Sequence, residues 1–478
     1  MKVTQLLPKK TKIVCTIGPA SESQTVLEQM IASGMNIARI NFAHGDFDGH
    51  RQVIANVRAA AKAIGCRVSI FGDLPGPKMR IGKLAKEPIF LEKGQPFILQ
   101  AEPIVGDEQH VSMSFRELPH VVQPGDQIFL NDGYLQLEVK RVEDQAVHCQ
   151  VVVGGELRSH KGINLPDINL GISAFTEDDA QYLKFAAEQQ LDGVSQSFVE
   201  SAADIEAVRQ AAKVMNYDPL IIAKIERSRA LTNLKSILEA ADGIMVARGD
   251  LGVEIPIERI AGTQKWIIDQ ANLYGKPVIT ATQMLESMID HNRPTRAEAT
   301  DVANAILDGT DCVMLSAETA VGQFPVESVA VMSRIAHETE SSSPIVGVAN
   351  LLEVQQASGE ITRNDLISFN IFQSAKTLNP DIVFVPSASG ATARRVTRFR
   401  LPQWIVGICL DEKTCQRLQF MYGIYPVYIR ANPISWPHFA QSWLAERQID
   451  GDLVLVIEGG GTMKAGDTTR LDIIDLTR

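Results

Sequence analysis

The chain has 478 residues, a length that exceeds a single hydrophobic core and indicates roughly two to four domains. Apolar residues make up 45% and charged residues 22% of the sequence, which excludes an intrinsically disordered chain. The formal net charge of −11 argues against nucleic acid or a membrane surface as the main partner, because anionic phosphates attract basic faces.

The cysteines and the N-terminal sequence indicate the cellular compartment. The six cysteines form neither a Cys-x-x-Cys motif nor a zinc-type spacing with histidine, which is typical of free thiols in a reducing environment. The sequence after Met1 does not resemble a signal peptide, and no apolar run is long enough to span a bilayer. We therefore expect a cytoplasmic protein.

From residue 12 onward, short β-like runs alternate with helical stretches such as 21–33, 176–189, 202–215 and 297–307. Eight such runs lie at residues 12–17, 37–42, 68–74, 193–198, 220–225, 243–246, 277–282 and 312–315. Nearly continuous apolar runs are typical of parallel strands buried on both faces, so the pattern predicts an α/β fold with a (β/α)8 TIM barrel. An open doubly wound sheet is the alternative, although no Gly-x-Gly-x-x-Gly follows the first run.

Two further regions interrupt or follow this alternation. Residues 75–171 are rich in Val, Ile, Gly and Pro and contain turn signals such as Asn131-Asp-Gly133, which predicts a small all-β domain inserted as a lid. Residues 344–478 contain a helical pattern at 360–377 and strand patterns at 381–385, 404–409 and 453–457, which predict a C-terminal α/β domain. The barrel itself would then comprise residues 1–74 and 172–343.

Polar residues follow the predicted strands, where the C-terminal ends of barrel strands meet. They are Arg39 and Asn41, Asp73 and Arg80, Lys224 and Glu226, Arg248 and Asp250, Thr282, and Ser316 and Glu318. Lys224 and Glu226 are two positions apart and so leave the same face of a strand. A buried structural ion pair is the alternative interpretation of this pair.

The residue types in this group favour phosphoryl transfer with an enolate. Glu226 and Asp250 offer the hard oxygen ligands that Mg²⁺ prefers, and Lys224 and Arg39 can neutralise a phosphoryl group in transfer. The turn Arg248-Gly-Asp250 opens towards a helix and offers backbone N–H groups to a carboxylate. Thr282 is a candidate for positioning a proton for an enolate carbon through a water relay.

Eight motifs resemble those of the pyruvate kinase family, in family order and over nearly the whole chain. They are Ala38-Arg-Ile-Asn-Phe-Ala-His44, Gly72-Asp-Leu-Pro-Gly-Pro-Lys-Met-Arg80, Lys161-Gly-Ile-Asn-Leu-Pro166, Ala223-Lys-Ile-Glu226, Ala247-Arg-Gly-Asp-Leu-Gly252, Ala281-Thr-Gln-Met-Leu-Glu-Ser287, Arg293-Pro-Thr-Arg-Ala-Glu298 and Met314-Leu-Ser-Ala-Glu-Thr319. The resemblance implies phosphoryl transfer from phosphoenolpyruvate to ADP, giving pyruvate and ATP with Mg²⁺ or Mn²⁺. It also implies a homotetramer.

The resemblance further implies a role for each site residue. Lys224, Arg39, Thr282 and Arg80 would be catalytic; Arg39, Lys224, Ala247, Arg248, Gly249, Asp250 and Thr282 would bind phosphoenolpyruvate; Asn41, His44, Arg80 and Lys161 would bind the nucleotide; Glu226 and Asp250 would hold the divalent metal.

Departures from the family pattern concern a K⁺ site. Many members use an Asn, a Ser, an Asp and a Thr for K⁺; here Asn41 and Asp73 remain, but Ala43 and Leu74 replace the other two. Where K⁺-requiring members resemble Gly-Pro-Glu, this chain has Lys78, whose ammonium group is a compact monovalent cation. We predict an enzyme of the K⁺-independent, bacterial type; a solvated loop lysine is the alternative.

The C-terminal domain contains a candidate effector loop at Ser387, Ser389, Gly390 and Thr392, between a predicted strand and a helix. Small hydroxyl residues with glycine at a helix N-terminus can cradle an anion, and the loop resembles the family's phosphorylated-effector loop. It predicts activation by a sugar phosphate or a nucleotide monophosphate. A plain strand-to-helix turn with a capping serine is the alternative.

Two other functions remain as alternatives. A barrel lyase or aldolase that forms a pyruvate enolate on Mg²⁺ would explain Glu226 and Asp250 but not Arg80, Lys161 or the lid. A regulatory scaffold without activity would be expected to lose some of the catalytic residues, and none is lost.

Overall fold

Eight parallel strands form a closed barrel in which the strands are neighbours in the order of the sequence. The structure is a computed structural model, and it describes residues 6–77, 79–342, 348, 362–459 and 468–477. The barrel strands are Lys12–Thr16, Ile37–Asn41, Ser69–Leu74, Gly193–Gln196, Leu220–Ile225, Gly243–Ala247, Val278–Ala281 and Cys312–Leu315. The prediction of a TIM barrel is confirmed, and the open doubly wound sheet is excluded.

Helices surround the barrel and follow its strands. They are Gln24–Ser33, Phe47–Ile64, Glu177–Glu188, Ala202–Val214, Ser228–Thr232, Leu234–Ala240, Arg248–Glu254, Ile260–Leu273, Arg296–Leu307, Ala317–Ala320 and Pro325–Ser342, with short 3₁₀ turns at Ile257–Arg259 and Glu286–Ile289. The main apolar core lies between these helices and the strands. A second apolar cluster fills the barrel interior, and Phe420 of the C-terminal domain packs into this cluster.

Several predicted boundaries differ for local reasons. The first helix begins at Gln24 rather than at residue 21, because Ser23 is the residue whose side chain caps the helix, accepting from Val26 N–H. The seventh strand ends at Ala281, because Thr282 has a left-handed backbone with φ of 69°. The fourth strand ends early for the same reason, since Phe198 has a φ of 59°.

The described residues of the inserted region, 75–77 and 79–171, are all-β apart from one short helix, Leu118–Val121. A six-stranded sheet runs in the order Ile163–Asn164, Gln127–Leu130, Leu135–Glu143, Ala146–Val153, Pro96–Gln100 and His110–Ser112, and Ile89–Leu91 pairs with Gly155–Leu157. This region has its own apolar core. Since it leaves the barrel after the third strand, it covers the end at which the site residues lie.

In its described residues, the C-terminal domain contains a five-stranded sheet with helices on both sides. Its strands lie in the order Ile424–Tyr428, Trp404–Cys409, Ile382–Pro386, Leu453–Gly459 and Thr468–Asp475, and only the last is antiparallel to its neighbour. Its described helices are Arg363–Leu378, Ala391–Thr397, Glu412–Leu418 and Trp436–Glu446. The predicted helix at 360–377 begins at Arg363 behind the capping Thr362; residues 360 and 361 lie outside the described part.

Candidate active site

The barrel mouth and the lid enclose a cavity of about 370 Å³. Its lining includes Arg39, Asn41, Ala43, Asp73, Arg80, Asp132, His160, Lys161, Ser197, Phe198, Lys224, Glu226 and Asp250. The structure therefore brings together residues from the second, third, fifth and sixth barrel strands, as predicted from the strand ends. A larger cavity of about 540 Å³ lies at the opposite end of the barrel, beside Lys9, Lys12 and Trp404, and none of the predicted site residues lines it.

Lys224 and Glu226 form the centre of this cleft. They leave the fifth strand on the same side, and Lys224 Nζ lies 2.7 Å from Glu226 Oε1 and donates to Ser197 Oγ at 2.7 Å. Glu226 also accepts the backbone N–H of Phe198 at 2.8 Å. Burial disfavours the charged ammonium, but the charges of Asp73 and Glu226 outweigh it and raise the pKa of Lys224 above its usual range.

Asp73 is the second centre of charge. Strand register places it opposite Asn41 on one side and Ser195 on the other. It accepts from Ser195 Oγ at 2.6 Å and from Arg39 Nε at 3.2 Å, and it lies 3.5 Å from Lys224 Nζ. Burial alone would raise its pKa, but Lys224 and Arg39 outweigh burial and lower the pKa of Asp73 to about 2.

Asp250 lies in the first turn of the helix Arg248–Glu254 and is exposed towards the cleft. Desolvation by the surrounding protein and the negative charge of Glu226 nevertheless raise the pKa of Asp250 to about 7. A divalent cation between the two carboxylates would relieve this repulsion. Among the described residues no group of three or more His, Cys, Asp or Glu side chains is arranged to hold a metal, so substrate or water oxygens would complete the coordination.

Thr282 occupies a strained turn next to Gly249. Its φ of 69° is rare for a β-branched residue and costs on the order of 1–3 kcal/mol. Its Oγ1 accepts Gly249 N–H at 2.8 Å and donates to Ala281 O at 2.6 Å. Arg248 donates to Thr282 O at 2.7 Å and to Asp301 Oδ1 at 2.7 Å, so the arginine supports the turn from behind.

The residues predicted for the nucleotide come from both sides of the cleft. Asn41 belongs to the barrel, whereas Arg80 and Lys161 belong to the inserted region, and all three line the cavity. Arg80 donates to His160 O at 3.4 Å. His44 N–H donates to Asn41 O at 3.3 Å, which places His44 in the loop just beyond the second strand, outside the cavity lining.

Other predicted residues lie elsewhere or outside the described part. The lining residues of the cavity do not include Ala247, Arg248, Gly249 or Thr282. The first three directly precede Asp250 in the chain, and Thr282 is hydrogen-bonded to Gly249. Glu318 is buried and accepts the backbone N–H groups of Leu285 and Ser316, which is a structural role. Lys78, the predicted K⁺ substitute, lies outside the described residues.

The sequence does not predict several cleft residues, among them Asp132, His160, Ser197 and Phe198, nor Ser195, which supports Asp73. Ser195 and Ser197 alternate in and just after a buried strand, which was a detectable signal of a polar interior face. Asp132, in a left-handed conformation with φ of 55°, was interpreted only as part of a turn. It comes from the lid, and no sequence pattern connects it with the barrel.

The candidate effector loop joins the strand Ile382–Pro386 to the helix Ala391–Thr397. Gly390 has a φ of 74°, and Ser389 O accepts from Arg394 Nη1 at 3.0 Å. Ser387 N–H donates to Ile408 O at 2.8 Å, and Thr392 is buried in the first turn of the helix. The loop is therefore ordered by contacts within the C-terminal domain.

The fold and the site define a barrel enzyme whose cleft suits an anionic substrate and a divalent cation. Two family models match the chain: "Pyruvate kinase, barrel domain" over residues 8–329 and "Pyruvate kinase, alpha/beta domain" over residues 365–474. The chain belongs to the pyruvate kinase family.

Individual relatives agree with this assignment. The pyruvate kinase of Thermococcus litoralis is 43% identical over 468 residues, which cover 98% of this chain and 95% of the relative. The pyruvate kinase of Clostridium acetobutylicum is 37% identical and covers 97% and 99%, respectively. The crystal structure of a pyruvate kinase from Cryptosporidium parvum superposes with a TM-score of 0.90 at 35% identity, covering 98% of this chain and 96% of that one.

Proposed function

We propose that this enzyme transfers the phosphoryl group of phosphoenolpyruvate to ADP, giving pyruvate and ATP, in the cleft between barrel and lid. The observation that carries the proposal is the buried Lys224 ammonium group, held 2.7 Å from Glu226 Oε1 in a cavity that Asp250, Arg80 and Lys161 also line. Such an arrangement suits phosphoryl transfer, because catalysis of this step depends on positioning and on neutralising charge.

Lys224 and Arg39 are the groups proposed to neutralise the transferring phosphoryl group. Both are held by Asp73, whose low pKa keeps it ionised at neutral pH. Arg39 also donates to Thr16 Oγ1 at 2.9 Å. The two cations are therefore positioned before substrate binds, which lowers the cost of reorganisation during the reaction.

The turn at Ala247, Arg248, Gly249 and Asp250 is proposed to bind the substrate carboxylate through backbone N–H groups. Gly249 N–H is bonded to Thr282 Oγ1, so substrate binding would have to share this donor. Thr282 would then guide a proton to the enolate carbon through a water relay. Asn41, His44, Arg80 and Lys161 are proposed to bind ADP or ATP.

Glu226 and Asp250 are proposed to hold Mg²⁺ or Mn²⁺. When bound there, the cation would polarise the phosphoryl oxygens and offset their charge. The protein's own contribution is to hold the two carboxylates at one edge of the cavity, through the fifth strand and the helix Arg248–Glu254.

A lactate dehydrogenase-coupled assay tests the activity. Pyruvate should form from phosphoenolpyruvate only when ADP and the metal are present; a lyase would form pyruvate without ADP. Lys224→Met should lower kcat about 10³-fold, because a charge at the transferring group is lost. Lys235→Met, at an exposed lysine, is the control. An unchanged rate in Lys224→Met would refute the proposed site.

The enzyme is also proposed to need no added K⁺. Leu74 is fully buried and offers no side-chain oxygen where K⁺-dependent members have threonine, and Ala43 offers none either. The Lys78 ammonium group would serve as the monovalent cation beside Asp73 and Asn41. Wild-type activity should be the same in buffers with and without K⁺, and Lys78→Glu should make activity dependent on K⁺. Strong activation of the wild type by K⁺ would contradict this.

Activation by a phosphorylated metabolite is proposed at the loop of Ser387, Ser389, Gly390 and Thr392. Support comes from the ordered loop and from the glycine at the helix start. Sugar phosphates and nucleotide monophosphates should each be titrated against the phosphoenolpyruvate saturation curve, with Ser389→Asp as the variant that repels an anion. Curves that no candidate shifts would reject the proposal.

We propose a homotetramer in the cytoplasm with the barrel at residues 1–74 and 172–343, the lid at 75–171 and a regulatory and oligomerisation domain at 344–478. In the described part of the chain, no helix combines the length and apolarity needed to cross a membrane. Light scattering should give four times the chain mass of 52.3 kDa.

A further inference from the structure

Arg227 directly follows the proposed metal ligand Glu226, yet its side chain is only 2% exposed and does not line the cavity. Its Nε donates to Glu200 Oε1 at 3.1 Å and its Nη1 to Glu254 Oε1 at 3.4 Å. Its Nη2 donates to the carbonyls of Leu165 at 3.2 Å and Ile168 at 3.0 Å. Burying a guanidinium group is costly unless its donors are satisfied, and here four of its five N–H groups have acceptors.

The partners of Arg227 belong to three different parts of the enzyme. Leu165 and Ile168 lie where the chain returns from the lid to the barrel, and their side chains belong to the lid core. Glu254 ends the helix that carries Asp250 in its first turn. Glu200 lies in the loop after the fourth strand, near Phe198, whose N–H donates to Glu226. One guanidinium group thus connects the lid with the surroundings of both proposed metal ligands.

The lid meets the same helix at a second point. Gly133, in the lid turn next to Asp132, approaches Val253 so closely that an added Cβ atom would lie 3.3 Å from its methyl groups. The C-terminal end of the helix of Asp250 is therefore in contact with the lid at two adjacent residues, Val253 at the lid turn and Glu254, through Arg227, at the return segment.

We propose that Arg227 is a positioning residue that couples the placement of the lid to the relative placement of Glu226 and Asp250. The inference rests on the proposed assignment of these two carboxylates as metal ligands. When the lid moves, the carbonyls of Leu165 and Ile168 move with its core. The guanidinium group can follow them only by shifting against Glu254, which moves the helix of Asp250.

The test uses Arg227→Lys, which keeps the positive charge but cannot reach four acceptors at once. Arg229→Lys is the matched control, because Arg229 Nε lies 3.1 Å from the same Glu200. Mn²⁺ binding to the enzyme without substrates is measured by electron paramagnetic resonance, and backbone hydrogen exchange is measured in the lid. Arg227→Lys should weaken Mn²⁺ binding about tenfold and speed exchange at the return segment, as for other residues that orient metal ligands. Arg229→Lys should change Mn²⁺ binding less than about twofold.

Two more variants separate the outcomes. If Glu226→Gln leaves Mn²⁺ binding unchanged, the metal assignment itself is wrong. If Glu226→Gln weakens binding and Arg227→Lys does not, the coupling is wrong. Glu254→Gln keeps the size of the side chain and should weaken Mn²⁺ binding in the same direction with a melting temperature close to that of the wild type. If Arg227 has only a structural role, Arg227→Lys will lower the melting temperature, but Arg227→Lys and Glu254→Gln will both bind Mn²⁺ with wild-type affinity. That result would overturn the proposal.

Discussion

Asp73 shows how a single buried carboxylate organises several charges. Its oxygens are taken by Ser195 and Arg39, with Lys224 at 3.5 Å. Since its pKa is lowered to about 2, it stays charged at neutral pH, and its charge helps to keep Lys224 protonated. Asp73 thus holds in place the two cations that are proposed to neutralise the phosphoryl group.

The hydroxyl group of Thr282 can be separated from its backbone strain. Thr282→Val keeps a β-branched side chain at the same φ of 69° but removes the bonds to Gly249 N–H and Ala281 O. We expect kcat to fall about 10²-fold in Thr282→Val and to stay within about threefold in Thr282→Ser, since the loss of a proton-relay group costs this much. The coupled pyruvate assay measures both. Equal rates in the two variants would show that the hydroxyl group has no part in turnover.

For individual residues, the sequence predicts which side chains reach the cleft. It predicts less well which residues form hydrogen bonds or ion pairs with them. Arg39 and Lys224 lie within barrel strands, and Glu226 and Asp250 follow such strands, so the fold determines where all four are placed. The position of Arg248 behind the Thr282 turn depends on Asp301, which lies 53 residues further along the chain. A contact of that range leaves no local pattern.

Close packing between neighbouring strands constrains the third barrel strand. A Cβ atom added at Gly72 would lie 2.3 Å from the ring of Phe42, which stacks on Tyr182 at 5.2 Å. Gly72→Ala should therefore destabilise the protein by about 1–3 kcal/mol, because the ring must move in a packed core. Thermal unfolding checks this, with Gly262→Ala as the control, since an added Cβ there meets no atom within 4 Å. A melting temperature unchanged in Gly72→Ala would contradict it.

Asp192, directly before the fourth strand, is a buried carboxylate whose ionisation destabilises the folded protein at neutral pH. Burial raises the pKa of Asp192 to about 6, although Ile70 N–H donates to it at 2.8 Å. A carboxyl whose pKa is raised in the folded state contributes stability below about pH 4, and this contribution is lost as the pH rises through about 6. Asp192→Asn avoids that loss, so its stability relative to the wild type should increase by up to about 2–3 kcal/mol between pH 4 and pH 7.5.

Urea unfolding of Asp192→Asn and the wild type at the two pH values measures this difference. Asp178→Asn, at an exposed carboxylate in the helix Glu177–Glu188, is the control and should show no such trend. A relative stability of Asp192→Asn that does not change with pH would mean that Asp192 does not titrate in this range.

The barrel strands are predicted well from the sequence, because burial on both faces makes them continuous apolar runs. The strands Leu220–Ile225 and Cys312–Leu315 begin and end at the predicted residues. Two strands of the C-terminal sheet were missed. Ile424–Tyr428 contains Pro426 and lies at an edge of the sheet, where proline is tolerated. Thr468–Asp475 forms the other edge and carries several charged residues, so it lacks an apolar run.

The side chain of Arg400 connects the C-terminal domain with Asp311 and Asn272 of the barrel domain. Its side chain is fully buried, with Nη1 2.8 Å from Asp311 Oδ1 and Nη2 2.7 Å from Asn272 Oδ1. Arg400→Met would leave the buried Asp311 carboxylate with its backbone donors but without its ion-pair partner, which should cost about 3–5 kcal/mol. Calorimetry should show a lower first unfolding transition, while Arg430→Met, at an exposed arginine, should not. An unshifted transition would mean that the domains are held together elsewhere.

The contact between the lid turn and the helix of Asp250 has a consequence for the fate of the phosphoryl group. The same transfer that makes ATP would release phosphate if water took the place of ADP. With Gly133 packed against Val253 and Asp132 lining the cavity, the lid removes bulk solvent from the side of the cleft where Asp250 lies. How tightly the lid turn packs against this helix would therefore determine what fraction of phosphoenolpyruvate is hydrolysed to pyruvate and phosphate without forming ATP.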